Sequence, residues 1–140
     1  MDDADKIKKD FLKLQTRQDV ADILGMKDSS LRFFLYGKRP DNMYVECSIK
    51  KRDGGTREIC VPQDKLKSIQ RKLLRILETV YNKKPAVHGF VVDRNSYTNA
   101  KNHCKRSLVF NIDLKDFFTQ IHFGRVMGML KSKPYSLGDE

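Results

Sequence analysis

The amino-acid sequence predicts an α+β fold, and three of its features carry this prediction. Apolar residues recur at helical spacing along residues 63–81. Two segments of alternating character flank the turn Asp53-Gly54-Gly55, a pattern that is typical of a β-hairpin. An apolar, β-branched run at residues 108–113 has the composition of a strand. With 140 residues, 39% of them hydrophobic, the chain is long enough to bury a core.

The first 43 residues are predicted to form a helical segment. Apolar residues recur at helical spacing over residues 1–14, which indicates the first helix. A second, short helix is expected to end at Gly25. A third is expected to begin at Ser29 and Ser30, whose hydroxyl groups would cap its free backbone N–H groups.

Residues 18–37 also resemble a helix-turn-helix, the unit that places a helix in the major groove of DNA. Its second helix carries four consecutive large apolar or aromatic side chains, residues 33–36. A helix that binds in the major groove of DNA rarely carries so many large apolar side chains, so we favour packing of these helices onto a larger body. A basic, non-catalytic nucleic-acid-binding protein that uses residues 18–37 is kept as the alternative function.

The central part of the chain is predicted to form a hairpin followed by a long helix. Strands are expected at residues 44–49 and 56–61, and Pro62 is expected to end the second. A further helix is predicted at residues 121–131. The helix at residues 63–81 should bury its apolar side chains, which are Leu66, Ile69, Leu73, Ile76, Leu77 and Val80. Its opposite side carries Lys65, Lys67, Arg71, Lys72 and Arg75.

The charge of the chain predicts a polyanionic partner. Lys and Arg number 28 against 18 Asp and Glu, for a net charge of +10, which most often indicates nucleic acid. Between Lys50 and Lys72 lie eight basic and three acidic residues, so half of the net charge falls in the hairpin and the start of the next helix. Because this cluster flanks a glycine turn, we expect backbone N–H groups of the turn and the neighbouring cations to contact phosphates.

Membrane, disulfide and metal-cluster functions find little support in the sequence. No apolar run approaches the length of a membrane span and the N-terminus is polar, so we expect a cytoplasmic protein with no membrane partner. The three cysteines are odd in number and lack paired spacing, which predicts reduced structural thiols. His88 and His103 lack metal-ligand spacing and are predicted to be hydrogen-bonded structural residues.

A candidate catalytic carboxylate ends the run at residues 108–113. Alternate residues of the predicted strand, Leu108, Phe110 and Ile112, should face a core, which leaves Asp113 on the other face. A carboxylate in that place is a candidate ligand for Mg²⁺ in phosphoryl transfer. The alternative is that Asp113 caps a turn and that Asp116 accepts backbone N–H bonds from a following helix. The spacing of the two aspartates alone favours this structural role.

Several separated motifs, taken together, resemble the reverse transcriptases of bacterial retrons. Residues 50–62 resemble the fingers hairpin of that family, and residues 111–118 are similar to its first palm motif. Between them, His88-Gly89-Phe90, Asn99-Ala100 and His103 match a further segment. Leu24-Gly25 and Leu35-Tyr36 precede the hairpin as they do in the retron type. The resemblance runs from about Val20 onward, and it implies that residues 44–140 are fingers and the start of a palm.

The resemblance implies an activity and its partners. Such an enzyme is an RNA-directed DNA polymerase that copies part of a structured non-coding RNA into DNA, leaving an RNA–DNA product. Its partners would be that RNA, the DNA product, dNTPs and an effector protein, within a bacterial anti-phage defence. Two Mg²⁺ ions would be its cofactors.

The resemblance also implies roles for particular residues. Asp113 would bind both Mg²⁺ ions, the backbone carbonyl of Leu114 would bind the second, and Phe118 would exclude a ribose 2′-hydroxyl. Arg57, together with either Lys50 or Lys51, would clamp the triphosphate. The remaining basic residues of the cluster would contact nucleic acid, namely Arg52, Lys65, Lys67, Arg71 and Lys72.

The chain departs from the family pattern in two places. Thr119-Gln120 stands where the family usually has Pro-Ser. No Tyr-x-Asp-Asp sequence is present, although a two-metal site needs several converging carboxylates. We therefore expect a truncated polymerase that is inactive by itself. A third possibility is an accessory protein that retains RNA binding without catalysis.

Overall fold

A computed structural model describes residues 3–37 and 40–138. These residues divide into two compact units, which are described separately below. The first contains the chain up to Val80, together with Leu137 and Gly138, and the second is Tyr81–Ser136. No helix among the described residues is long and apolar enough to cross a membrane.

The first unit consists of four α-helices and a β-hairpin. The helices are α1 (Asp3–Phe11), α2 (Arg17–Ile23), α3 (Asp28–Arg32) and α4 (Asp64–Val80). A π-helical turn (Phe33–Gly37) continues α3, and a short 3₁₀ turn (Pro40–Met43) leads into the hairpin of β1 (Tyr44–Lys50) and β2 (Thr56–Pro62). The predicted hairpin and the long amphipathic helix are thus confirmed, each within one or two residues of the expected bounds.

The core of the first unit lies where α1 packs against α4 and α2 packs against α1 and α3. Of the predicted apolar face of α4, Ile76 and Val80 are buried, whereas Leu73 is exposed. The helices at the N-terminus supply most of the remaining buried side chains. These are Phe11, Ala21, Leu24 and Leu31, to which Met43 of the 3₁₀ turn is added.

Local hydrogen bonds set the ends of α2. Thr16 and Asp19 form a reciprocal capping box at its start, in which each side chain accepts from the backbone N–H of the other. Gly25 follows its last turn with φ of +62°, a conformation that favours glycine. The predicted end of this helix at Gly25 is therefore confirmed.

The prediction that serines cap α3 was wrong. This helix begins at Asp28, its N-cap is Lys27 without a side-chain cap, and Ser29 and Ser30 lie inside its first turn. Asp28 is instead engaged with Arg17 of α2, the Arg17 Nε to Asp28 Oδ1 distance being 2.7 Å. The ion pair links α2 to the start of α3, and an acidic residue in the first turn suits the helix dipole.

The hairpin is joined to the helices at its base. The backbone N–H of Gln63 donates to the carbonyl of Met43 at 2.9 Å, and Gln70 Nε2 donates to the Tyr44 hydroxyl at 3.1 Å. Beyond that base every residue of β1 is exposed. β1 therefore presents both of its faces to solvent within this unit, whereas Ile59, Val61 and Pro62 of β2 are half-buried.

The second unit is poor in regular structure. It contains α5 (Ser96–Lys101), a 3₁₀ turn (Phe118–Gln120) and α6 (Phe123–Lys131), the last beginning two residues later than predicted. Tyr135 is buried, and burial raises the pKa of its hydroxyl.

The predicted strand ending at Asp113 is not formed, and this part of the fold prediction was wrong. Residues 108–113 belong to no ladder, and Leu108, Phe110 and Ile112, which were expected to face a core, are exposed. Leu108 is 83% exposed and Phe110 is 80% exposed. A strand needs a neighbour for its backbone hydrogen bonds, and within the described residues β1 and β2 pair with each other alone. The apolar pattern is present without a partner strand.

Candidate functional site

The turn of the hairpin is closed by its own hydrogen bonds. The N–H of Lys51 donates to the Gly55 carbonyl at 2.7 Å, and the N–H of Gly54 donates back to the Lys51 carbonyl at 3.2 Å. Gly54 has φ of +86°, which glycine adopts freely. The N–H of Gly55 donates to Asp53 Oδ1 at 3.1 Å. Both glycine N–H groups are thus engaged within the turn, which leaves the basic side chains and the other N–H groups of the turn as the candidates for phosphate contacts.

The strand register places the candidate clamp residues on different faces. Directly opposed residues of an antiparallel pair point to the same face, and successive residues alternate. Arg57 is opposite Ile49, whereas Lys50 is opposite Thr56. Lys50 and Arg57 therefore lie on opposite faces of the ribbon. Lys51 follows the last residue of the ladder, and its N–H donates to the carbonyl of Gly55, two residues before Arg57. The register thus excludes Lys50 from the face of Arg57 and leaves Lys51 as the candidate partner.

The two faces of the hairpin differ in chemistry. Ser48 donates a hydrogen bond to Glu58 on the face that also carries Lys50. The face of Arg57 is apolar apart from its basic end, and on it Val45 is 56% exposed and Ile49 is 45% exposed. Its members are Val45, Cys47, Ile49, Ile59 and Val61. Cations at the end of a partly exposed apolar face suit a ligand that is anionic at one end and less polar along its body.

The other basic residues of the cluster are not equivalent. Arg52 in the turn and Arg71 on α4 are exposed. Lys72 instead donates from Nζ to the Leu24 carbonyl at 2.8 Å, which places its ammonium at the end of α2. Lys67 is half-buried, and the exposed Lys65 lines a groove beside α3.

Asp113 stands in irregular backbone in the second unit. Within residues 3–37 and 40–138, no group of three or more His, Cys, Asp or Glu side chains is placed to hold a metal ion. The side chain of Leu114, whose carbonyl is the other predicted metal ligand, is exposed. The described residues thus supply one carboxylate for the predicted Mg²⁺ site and do not complete that site.

Asp116 acts through its backbone. It adopts φ of +52°, and its carbonyl accepts from Thr119 Oγ1 at 2.8 Å and from the N–H of Gln120 at 3.2 Å. The hydroxyl of Thr119 and the N–H of Gln120 therefore close a turn that contains the two phenylalanines.

The aromatic pair after Asp116 is held edge to face. The ring centroids of Phe117 and Phe118 lie 5.4 Å apart with an interplanar angle of 68°. Phe118 is 77% exposed, and its role beside a substrate sugar stays a prediction. The contact with Phe117 restricts the orientation of that ring.

His88 is a hydrogen-bonded structural residue, as predicted. Its Nδ1 lies 2.9 Å from Thr98 Oγ1 in α5, and its Nε2 lies 2.9 Å from Nδ2 of Asn102, the C-cap of that helix. Arg94, which the sequence did not single out, organises the neighbouring loop. Its Nη1 donates to the carbonyls of Lys84 and Val87 at 2.7 and 2.5 Å.

Comparisons with known proteins agree with the motifs. The chain is 37% identical over 123 residues to the retron Mx65 reverse transcriptase of Myxococcus xanthus, an alignment that covers 86% of this chain and 29% of that protein. It is 38% identical over 124 residues to the retron Mx162 reverse transcriptase of the same organism, covering 85% and 25%. By sequence, this chain belongs to the retron reverse transcriptases. It spans about a quarter of the length of the curated relatives it matches.

More distant retron reverse transcriptases show the same relationship. The retron Ec83 enzyme of Escherichia coli is 33% identical over 87 residues, which cover 62% of this chain. No family model matches the chain, and no solved structure matches it. In this retron reverse-transcriptase segment the predicted site residues fall into both units. Lys51 and Arg57 belong to the first unit, and Asp113 and Phe118 belong to the second.

Proposed function

We propose that this chain provides the nucleotide-binding hairpin and one metal-binding carboxylate of an RNA-directed DNA polymerase of the retron type. The observation that carries the proposal is the match to two retron reverse transcriptases over about 85% of the chain. The complete polymerase would copy a structured non-coding RNA into DNA from dNTPs. Its effector partner and its role in anti-phage defence belong to the same proposal and rest on the resemblance.

Within this function, Lys51 and Arg57 bind the triphosphate of the incoming dNTP. The register puts Lys50 on the face opposite Arg57, and Lys51 follows it at the free end of the ribbon, which supports Lys51 as the partner of Arg57. Two cations that converge on the phosphates neutralise charge and form charge-assisted hydrogen bonds. Lys50 lies on the other face, with Ser48 and Glu58, and has no part in this clamp.

Asp113 and the carbonyl of Leu114 are proposed as ligands of Mg²⁺, and Phe118 as the side chain that excludes a 2′-hydroxyl. A two-metal site requires several converging carboxylates. The described residues bring no such group together, so Asp113 needs further carboxylates from the remainder of a polymerase. The contribution of this chain by itself is therefore binding of nucleotide and nucleic acid.

The alternative, a DNA reader at residues 18–37, is less well supported. The second helix of that unit has only five α-helical residues before it becomes a π-helical turn, and its Leu31 is buried in the body. Arg17, at the start of the first helix, is engaged by Asp28 rather than left for phosphates. These contacts favour the packing role of the two helices.

Titration of the ¹⁵N-labelled chain with dATP, followed by amide shifts, tests the triphosphate clamp. We expect the shifts to concentrate in the hairpin, and Lys51→Gln or Arg57→Gln to weaken binding severalfold. Lys50→Gln is the matched control because it removes the same charge from the opposite face. Equal loss from all three variants, or shifts confined to residues 18–37, would contradict the proposal.

A further inference from the structure

A groove of about 570 Å³ lies within the first unit, between α3 with its π-helical turn and the start of α4. Half-buried apolar side chains form its floor, and exposed side chains form its rim. The floor consists of Met26, Phe34 and Ile69, and the rim consists of Ser29, Ser30, Phe33, Lys65 and Ser68. No residue of the hairpin lines it, so it is separate from the proposed triphosphate clamp.

The rim carries polar groups that are available to a ligand. Among residues 3–37 and 40–138, the hydroxyls of Ser29, Ser30 and Ser68 and the ammonium of Lys65 take part in no side-chain hydrogen bond or ion pair. Three hydroxyls can both donate and accept, and the ammonium carries a positive charge. Such a rim suits a ligand with a polar edge and an anionic group.

One wall of the groove is an aromatic ring whose position depends on a glycine. A Cβ atom at Gly37 would lie 2.7 Å from Phe33 Cδ2, so a side chain at Gly37 would displace the ring. The ring of Phe34 meets that of Phe33 edge to face, with centroids 6.2 Å apart. Phe33 nevertheless remains 52% exposed. An exposed ring held in this way offers a flat surface for stacking.

We propose that this groove binds one unpaired nucleotide of a single-stranded nucleic acid. The base would lie against Phe33 over the apolar floor, serine hydroxyls would bond its polar edge, and Lys65 would contact a phosphate. Stacking on exposed aromatic side chains is how proteins hold unpaired bases, and a basic surround attracts the backbone. The net charge of +10 favours a nucleic-acid strand over a peptide as the occupant. The inference rests on the proposed function, because it takes nucleic acid as the partner.

Fluorescence anisotropy of labelled oligouridylate and oligothymidylate with the whole chain tests this site. Removal of a stacking ring costs roughly 1–3 kcal/mol per base, so Phe33→Ala should weaken binding at least about fivefold. Phe33→Leu keeps the apolar bulk and should weaken binding as well, because a leucine cannot stack. Leu35→Ala is the matched control, since Leu35 shares the π-helical turn, is 54% exposed and does not line the groove. Circular dichroism confirms that each variant is folded.

A pair of lysines on α4 and a cross-link complete the test. Lys65→Gln should weaken binding more than Lys67→Gln, which removes the same charge two residues away, outside the groove lining. A photoreactive 5-iodouridine in the oligonucleotide should cross-link to a peptide that contains Phe33. The two oligonucleotides distinguish RNA from DNA as the source, and binding of either at this site supports the proposal.

Two results would overturn it. If the wild-type chain binds both oligonucleotides but the Phe33 variants bind equally well and no cross-link forms at Phe33, the groove is not a nucleotide site. The proposed function would survive that result, because the clamp on the hairpin is tested with dATP. If the chain binds an acidic peptide in the groove and no oligonucleotide, the nucleotide assignment is wrong.

Discussion

Lys72 Nζ donates a 2.8 Å hydrogen bond to the carbonyl oxygen of Leu24, which joins α4 to the end of α2. Leu24 is the C-cap of α2, so a positive charge meets the negative end of that helix. A Cβ atom at the adjacent Gly25 would lie 3.6 Å from the same nitrogen, which is ordinary contact. Lys72 therefore has a structural role that the sequence did not predict.

Lys72→Met should lower the free energy of unfolding by about 1 kcal/mol, because it removes a charge-assisted hydrogen bond that is partly exposed. Its effect on RNA affinity should be small. Arg71→Met is the control, since Arg71 is exposed beside it on α4. That variant should keep the stability and lose RNA affinity. Urea unfolding and RNA binding of both variants test this assignment of roles. A loss of RNA affinity in Lys72→Met alone would contradict the structural role of Lys72.

Binding of structured RNA should depend steeply on salt. Each phosphate contact contributes roughly −0.7 to −0.9 to the slope of log affinity against log salt concentration. Neutralising Lys50, Lys51 and Arg57 together should flatten that slope. A slope that stays the same would place the RNA surface elsewhere on the chain. Filter binding over a series of salt concentrations provides the measurement.

This chain alone should show no DNA synthesis. The described residues bring no group of three metal-binding side chains together, and one carboxylate cannot hold two Mg²⁺ ions. Primer extension on a primed RNA template with Mg²⁺ and dNTPs should give no product. Template-dependent extension by the pure protein would refute the expectation.

In a polymerase that contains this segment, Asp113→Asn should abolish synthesis while leaving RNA binding intact. The substitution keeps the shape of the side chain and removes the charge that binds Mg²⁺, for a loss on the order of 10³-fold or more in rate. Phe118→Ala should keep activity on dNTPs and raise ribonucleotide incorporation, because it removes a steric block. Near-normal synthesis by Asp113→Asn would show that Asp113 is not a metal ligand and would support its alternative role as a turn cap.

The stability of the first unit should fall in acid through Asp19. The N–H groups of Gln15 and Thr16 donate to its carboxylate at 3.0 and 2.8 Å, and these bonds hold the pKa of Asp19 below its ordinary value. The ionised form is favoured in the folded state, so its stabilisation is present above the unfolded pKa of about 3.9 and is lost as pH falls through the folded value.

Asp19→Asn should therefore lower the melting temperature at neutral pH and have less effect below the folded pKa. Asp10→Asn is the control, because the Asp10 carboxylate forms no hydrogen bond with any described residue. Melting temperatures of both variants, measured by circular dichroism at neutral pH and at a pH below the folded pKa of Asp19, check this prediction. An equal effect at neutral and acidic pH would show that the cap does not depend on the charge of Asp19.

Local patterns in the sequence were sufficient for the hairpin and for α4. A glycine turn between alternating segments specifies the pairing of neighbouring strands, and β1 and β2 formed as predicted. The helical spacing of residues 63–81 likewise specified α4. Both patterns depend on contacts between residues close in sequence, so the hairpin and the helix can form without a distant partner.

The family also followed from the sequence, because motif order and spacing are properties of the chain itself. The retron reverse transcriptases that match over about 85% of the chain agree with that assignment. Which basic residue accompanies Arg57 did not follow from it. Lys50 and Lys51 are neighbours that the sequence does not distinguish, whereas the register of the ribbon puts Lys50 on the face opposite Arg57.

Contacts between distant residues decided the rest. In the sequence, Lys72 is one of several cations on a basic helix. The tertiary structure places the Leu24 carbonyl within hydrogen-bond distance of its ammonium. The sequence predicts packing for Phe33 and membership of a charge cluster for Lys65. In the structure both residues line the same groove. Residues 108–113 have the composition of a strand, yet a strand forms only when a neighbour supplies the other half of its hydrogen bonds. Composition and spacing are properties of a segment by itself, so they predict its local structure. The hydrogen-bond and packing partners of that segment are distant in sequence, and only the tertiary structure determines them.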